Sequence, residues 1–314
     1  MSGVALTTDP AVSRQDRMRI AQGLAVGLTA ASIGALYTIY ARWGIMHGLR
    51  SPDLTVLRFG VAGLVTLPIL IRQLRTGPQV LTDHWRMWLA VAVFAGTPFG
   101  LLMFTALQFA PASHAAVFPF SAMSVSGMLM SAWVFKERLT LQRIAGICIV
   151  VCALVLISGV DRASFSPRSL LGDSMFILAG ISWASFGIIL RRHRLDPLLA
   201  TAVISFSALV TYVPGYLIFT GAEQLSAVPS TVLWTEVLVQ GLIAGAGTLF
   251  SYARMVQLLG PSRAAIFPAL APGLASLLAW PVLGHVPTLL ESIGLIAAIF
   301  GLLVAVTAVR RHGK

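Results

Sequence analysis

The 314-residue chain is 57% apolar and only 11% charged, with 22 Lys and Arg against 11 Asp and Glu. Soluble domains carry roughly 25% charged residues, so a composition this apolar, with a mean hydropathy of +0.86, calls for lipid as the solvent of much of the chain. Disorder and collagen-like repeats are excluded by the same numbers, and a net charge of +11 scattered between apolar runs, not gathered in a stripe, excludes a nucleic-acid partner.

The first stretch is polar, with Arg14, Arg17 and Arg19, and leads into an apolar run too long for the core of a cleavable signal peptide. It reads as a first membrane helix. Such a helix needs about 20 mostly apolar residues. Runs of that kind fall at 20–41, 54–71, 87–109, 112–135, 141–159, 171–190, 198–219, 232–258, 263–284 and 288–309, which predicts ten spans. Ser51-Pro52-Asp53 opens the second, and Thr76-Gly77-Pro78 lies in the loop after it. A single proline, in Ala110-Pro111, divides the third from the fourth. Asp196-Pro197 precedes the seventh, and Gly260-Pro261-Ser262 separates the eighth from the ninth. The ten-residue alternation of a barrel is absent, so the predicted fold is an all-α membrane protein. Cys148 and Cys152 share a face of the fifth span as small packing residues and do not make a disulfide framework.

Lys and Arg set the orientation. With the N-terminus cytoplasmic, 16 of the 22 basic residues fall on the inner side and four, Arg42, Arg50, Arg162 and Arg168, on the outer. That bias predicts that both termini are cytoplasmic. The halves also repeat. Gln108, Ser113, Ala115, Ala116, Phe118 and Pro119 recur 149 residues later as Gln257, Ser262, Ala264, Ala265, Phe267 and Pro268. A unit of five spans inserts its second copy upside down. The charges agree: Lys136-Glu137-Arg138 becomes Gly284-His285-Val286, and His114 becomes Arg263. The expected organisation is a cytoplasmic segment 1–19, a first repeat over 20–160, a second over 171–309 and a cytoplasmic tail 310–314. Inverted repeats of this kind are a transporter architecture with substrate bound near the midplane.

Several short motifs occur in order in both halves: Pro111-Ala112-Ser113-His114-Ala115-Ala116, Pro119, Phe135-Lys136-Glu137-Arg138-Leu139-Thr140 and Gly146, then Gly260-Pro261-Ser262-Arg263-Ala264-Ala265, Pro268, Leu283-Gly284-His285 and Gly294. On these the chain resembles the EamA family of the drug/metabolite transporter superfamily. The resemblance implies a ten-helix inverted-repeat carrier of the bacterial inner membrane that moves amino acids and related metabolites, mostly outward. Two departures stand out: His285 replaces the second Glu of the family pattern, and the Trp often found midway along the first helix is missing around Ile33-Gly34.

An ionisable residue deep in a span is a functional candidate. The acids all sit in loops or near span ends, Asp173, Glu236 and Glu291 within about a turn of an outer end, so transport driven by the solute gradient, or coupled through a group other than a carboxylate, is expected. Of the basic residues within spans, Arg58 is one turn from the outer surface, and Arg254 either snorkels or meets a substrate carboxylate. The candidate cavity comprises Tyr37, Tyr40, Thr97, Phe104, His114, Phe118, Trp183, Ser185, Tyr252 and Arg254, suited to a small zwitterion or aromatic solute. Pro119, Pro268 and Pro272 are candidate bends for gating. Gly241-x-x-x-Gly245 is a close-packing motif, within the bundle or between protomers.

No GxxxxGK[ST] loop, HExxH or GxSxG occurs, and no His/Asp/Glu cluster has metal spacing. The expected protein is a non-ATP carrier without cofactor or metal, with the bilayer and a small solute as its partners. A broad drug or metabolite efflux carrier is the alternative, and a membrane-embedded enzyme or channel the alternative of another class.

Overall fold

The computed structural model describes residues 10–110, 112–158, 166–221, 223–284, 286 and 288–307, and among them there is no strand. The Ala110-Pro111 break, His285 and the tail 310–314 therefore fall wholly or partly outside the described residues.

α1 (Pro10–Met46) is 37 residues long, about 55 Å at 1.5 Å per residue, against a hydrocarbon core of about 30 Å. It starts inside the segment expected to precede the membrane, because no Gly or Pro interrupts the chain between Pro10 and Gly23. α2 (Ser51–Thr76) begins at a one-way cap in which the Arg50 N–H donates to the Asp53 carboxylate at 2.6 Å. After the single turn α3 (Gln79–Thr82), the third span is two helices, α4 (Trp85–Ala95) and α5 (Thr97–Phe109). The break has a cause. Pro98 has no N–H to give the Phe94 carbonyl four residues back, and the Ser182 hydroxyl donates to that carbonyl at 2.9 Å.

α6 (Ala112–Phe135), α7 (Leu141–Ser158), α8 (Pro167–Arg192) and α9 (Pro197–Phe219) follow. Ser166 caps α8 and Asp196 caps α9, each accepting a backbone N–H three residues on. The short α10 (Glu223–Ala227) precedes the eighth span. That span comprises α11 (Ser230–Glu236), a π-helical stretch Val237–Ala246 and α12 (Gly247–Leu259). The ninth comprises α13 (Pro261–Ala264), a 3-10 turn Phe267–Leu270 and α14 (Ala271–Leu283), and α15 (Leu289–Val306) is the last. Among the described residues nine of these stretches are long and apolar enough to cross a membrane. The shorter apolar α7 packs along α15.

Neighbours exchange between the halves. α6 lies on α8 as α14 lies on α1, while α2 pairs with α9 and α7 with α15. Arg19 of α1 donates to the Gln257 carbonyl at 3.0 Å, and the Gln257 amide donates to the Leu195 carbonyl at 2.9 Å. The start of α1 and the end of α8 thus share one end of the bundle, so the first helices of the two halves run in opposite directions.

The glycine motif packs within the bundle. A Cβ at Gly241 would stand 2.4 Å from the Val61 Cβ, and one at Gly245 would stand 2.3 Å from the Arg58 carbonyl oxygen. A backbone oxygen cannot rotate aside, so Gly245→Ala is expected to cost about 1–3 kcal/mol, seen as a lower unfolding midpoint in detergent. An unchanged midpoint would refute this contact. Lys136 (φ 54°) and Arg194 (φ 50°) are the positive-φ non-glycine residues among the described residues. The left-handed region costs such residues about 1–3 kcal/mol each.

Candidate functional site

A cavity of about 1530 Å³ opens at the end of the bundle where α1 begins and α6, α8 and α12 finish. Among the described residues seven Lys or Arg line it, against one acid, Glu137. Glu137 accepts from Arg143 at 3.3 Å and also from Arg191. Arg143 also donates to the Ser262 hydroxyl at 3.3 Å, and the Arg191 guanidinium lies 4.3 Å from the Phe135 ring centroid. One carboxylate therefore ties the end of α6 to α7, α8 and, through Arg143, α13. Just past α8, partial burial holds the His193 pKa below its ordinary value, and the charges of Arg192 and His84 push the same way.

Mid-bundle, the aromatic rings pack together. Trp183 lies 4.7 Å from Phe99, 5.6 Å from Phe186 and 5.1 Å from Tyr252, centroid to centroid. Their polar atoms are less content than their rings. The Trp183 indole N–H, the Tyr252 hydroxyl and, at the start of α5, the Thr97 hydroxyl are buried without a hydrogen-bond partner among the described residues. Most buried polar groups are paired, so three orphans here mark a place where a polar guest would be stabilised. Ser185 is not an orphan, since it donates to the Ile181 carbonyl at 2.8 Å.

The opposite end is closed and polar. His114 Nδ1–H donates to Asp173 at 2.7 Å, and the imidazole lies 5.4 Å from Phe118. The Tyr216 hydroxyl donates to Asp53 at 2.5 Å, and Phe104 packs into the same apolar cluster as Tyr216, Leu54 and Leu57. Glu236 is fully buried beside Gly44, and neither of its oxygens makes a hydrogen bond of good geometry among the described residues. Asp53, Asp173 and Glu236 are at this end, but tertiary packing buries all three.

Ten residues are expected to form one cavity: Tyr37, Tyr40, Thr97, Phe104, His114, Phe118, Trp183, Ser185, Tyr252 and Arg254. None of them borders the large basic cavity. Thr97, Trp183 and Tyr252 gather mid-bundle, with Ser185 on the helix that carries Trp183. Phe104, His114 and Phe118 lie towards the closed end. Tyr37 lies under Arg58, whose guanidinium carbon is 4.3 Å from its ring centroid, and Tyr40 turns to Trp43 at 5.9 Å. Arg254 is exposed and donates to its neighbour Gln257 at 3.0 Å, so it does not face into the bundle. The Glu137 network was missed as a cluster because its members are far apart in the chain.

The EamA-like transporter family pattern matches residues 21–159 and again 170–307. The chain belongs to this family. It is 23% identical to the transporter YetK of Bacillus subtilis (strain 168) over 255 residues, which are 80% of this chain and 76% of that one. It is 28% identical to a probable amino-acid metabolite efflux pump of Salmonella typhimurium over 220 residues, 66% of this chain and 72% of that one. A solved crystal structure superposes with a TM-score of 0.72 at 21% identity, covering 94% of this chain and 99% of the other. That likeness concerns the fold alone.

Within the EamA-type bundle, backbone irregularity concentrates near the centre. The break at Gly96 and the π-helical stretch ending at Ala246 fall at positions related by the 149-residue offset. The prolines behave unequally. Pro268 lies in a 3-10 turn and Pro272 in the first turn of α14, whereas Pro119 sits in an unbroken α6. The expected pair of matching bends is thus realised as an interruption in the second half only. The turn frees the Ala265 carbonyl, which accepts from the Ser124 hydroxyl at 3.2 Å. That bond links α6 to the ninth span.

Proposed function

We propose that this protein is a secondary, non-ATP transporter that exports amino acids or related small metabolites across the bacterial inner membrane by alternating access. In this reading it has ten spans in two inverted five-helix repeats, 20–160 and 171–309, with both termini cytoplasmic. The observation that carries it is the trio of orphaned polar atoms on Thr97, Trp183 and Tyr252, midway between an open basic end and a closed end. The Salmonella relative, a probable amino-acid metabolite efflux pump, favours amino-acid metabolites. The driving force is the solute gradient, since the buried acids among the described residues lie towards the two ends of the bundle and not at its centre.

The test is counterflow of labelled amino acids in proteoliposomes. Saturable exchange that survives an uncoupler is expected; uptake abolished by the uncoupler would overturn the facilitative reading. Product formation without vectorial movement would favour an enzyme, and non-saturable flux a channel. Trp183→Phe keeps an aromatic ring in the stack and deletes the indole N–H together with the smaller ring that carries it. Loss of one substrate hydrogen bond is worth about 1–1.5 kcal/mol, so KM is expected to rise roughly 5–10-fold at normal membrane levels. Unchanged KM would remove Trp183 from the site. A C-terminal reporter active only outside would overturn the orientation.

A further inference from the structure

The basic cavity is more than a record of membrane orientation. Positive-inside bias places Lys and Arg near the inner end of a membrane protein, but it does not require them to face one another across a concavity. Here seven cations do so, and the one carboxylate among them is already engaged by Arg143 and Arg191. Lys136, Arg192 and Arg194 have no carboxylate partner among the described residues. Arg143 is buried in the same wall, and its Nε–H has no acceptor there. A cleft of one sign with low-dielectric walls focuses the field and concentrates counter-ions.

The backbone supplies a second observation. Lys136 and Arg194 are the described non-glycine residues held at positive φ, and both line this cavity. Each follows the end of a helix that reaches the cavity, α6 and α8, where Gly or Asn would sit without strain. Strain kept at two sites in one wall, with a long cation on each, points to a role for the cations.

We propose that this cavity binds the anionic group of the transported solute, a carboxylate or phosphate, so that the carrier selects acids over neutral or cationic metabolites. The inference rests on the transporter reading above and names its substrate class. Anionic lipid headgroups share the same chemistry, and the experiment separates them from soluble solutes.

Full-length protein is placed in phosphatidylcholine nanodiscs and titrated with glutamate, inorganic phosphate, leucine and lysine. Glutamate and phosphate are expected to bind and raise Tm, lysine to do neither, and anion affinity to fall about tenfold between about 20 and 500 mM KCl. The double variant Lys136→Asn, Arg194→Asn removes two charges and relieves both strained positions, because Asn tolerates the left-handed region. Its ligand-free Tm is expected to rise while its anion affinity drops at least about tenfold. A merely structural role for these cations would not move the two readouts in opposite directions.

Equal binding of lysine and glutamate overturns the proposal, as does a double variant with unaltered anion affinity. Stabilisation by phosphatidylglycerol nanodiscs with no response to soluble anions also overturns it, in favour of a lipid site. Counterflow of leucine without preference for glutamate removes the proposal and leaves the transporter reading standing. Absence of any counterflow removes the transporter reading.

Discussion

Glu137→Ala is expected to be the most damaging single substitution at the open end of the bundle. The carboxylate side chain is 9% exposed and bridges two guanidiniums, Arg143 at 8% and Arg191 at 31%. Removing the acid from a buried ion pair costs about 3–5 kcal/mol, because the charge left behind has lost its compensation. Here two charges are left, although Arg191 retains access to water, which places the expected loss towards the lower end. The ends of α6 and α8, the start of α7 and the short α13 lose their common anchor, so the wall of the basic cavity should loosen and transport fall with stability. Glu137→Gln keeps one acceptor oxygen, turns an amide NH2 towards the other guanidinium and loses the charge, so it should lie between alanine and the parent. The measurement is the unfolding midpoint in detergent beside the counterflow rate. A Glu137→Ala protein as stable as the parent would show that the network does not hold the wall.

Much of the fold was legible in the sequence, for a physical reason. Apolar length and turn chemistry are local signals, and the bilayer makes them strict, since unpaired backbone groups have no water to turn to. The expected spans therefore agree with the observed helices within a few residues at most ends. Departures have local causes too: α1 runs back to Pro10 because nothing stops it, and the third span breaks where Pro98 deprives Phe94 of a donor. The site was less legible. Side chains that share a helix face, such as Tyr37 and Tyr40, can be paired from spacing, yet they turn to different partners, Arg58 and Trp43. Whether Asp173 is solvated or buried depends on which helix lies against it, and that is fixed 59 residues away at His114. The same holds for the basic cavity. The charge count that gave the orientation contained its members, but their convergence is a product of the inverted packing.

Asp173→Ala tests what that convergence does for transport. His114 and Asp173 are nearly inaccessible and bonded at 2.7 Å, near the starts of α6 and α8. Farther along, the same two helices are tied again where Glu137 meets Arg191. α6 and α8 are thus fastened at both ends, and a carrier that opens alternately must release one fastening at a time. Breaking the His114–Asp173 pair strands a buried polar partner and is expected to cost about 1–3 kcal/mol. Asp173→Asn, which keeps an acceptor oxygen, should recover part of it. In a double-mutant cycle with His114→Ala the two losses should fall short of additivity by more than about 1 kcal/mol, as for residues in contact. The released end should also open outward more often. A cysteine at Phe118, in a chain with Cys148 and Cys152 changed to serine, should then be labelled from the outer side several-fold faster when Asp173 is alanine. Additive losses would mean that the pair is not an interacting unit. Coupled losses without faster labelling would make it a structural tie and would place the outer gate elsewhere in the bundle.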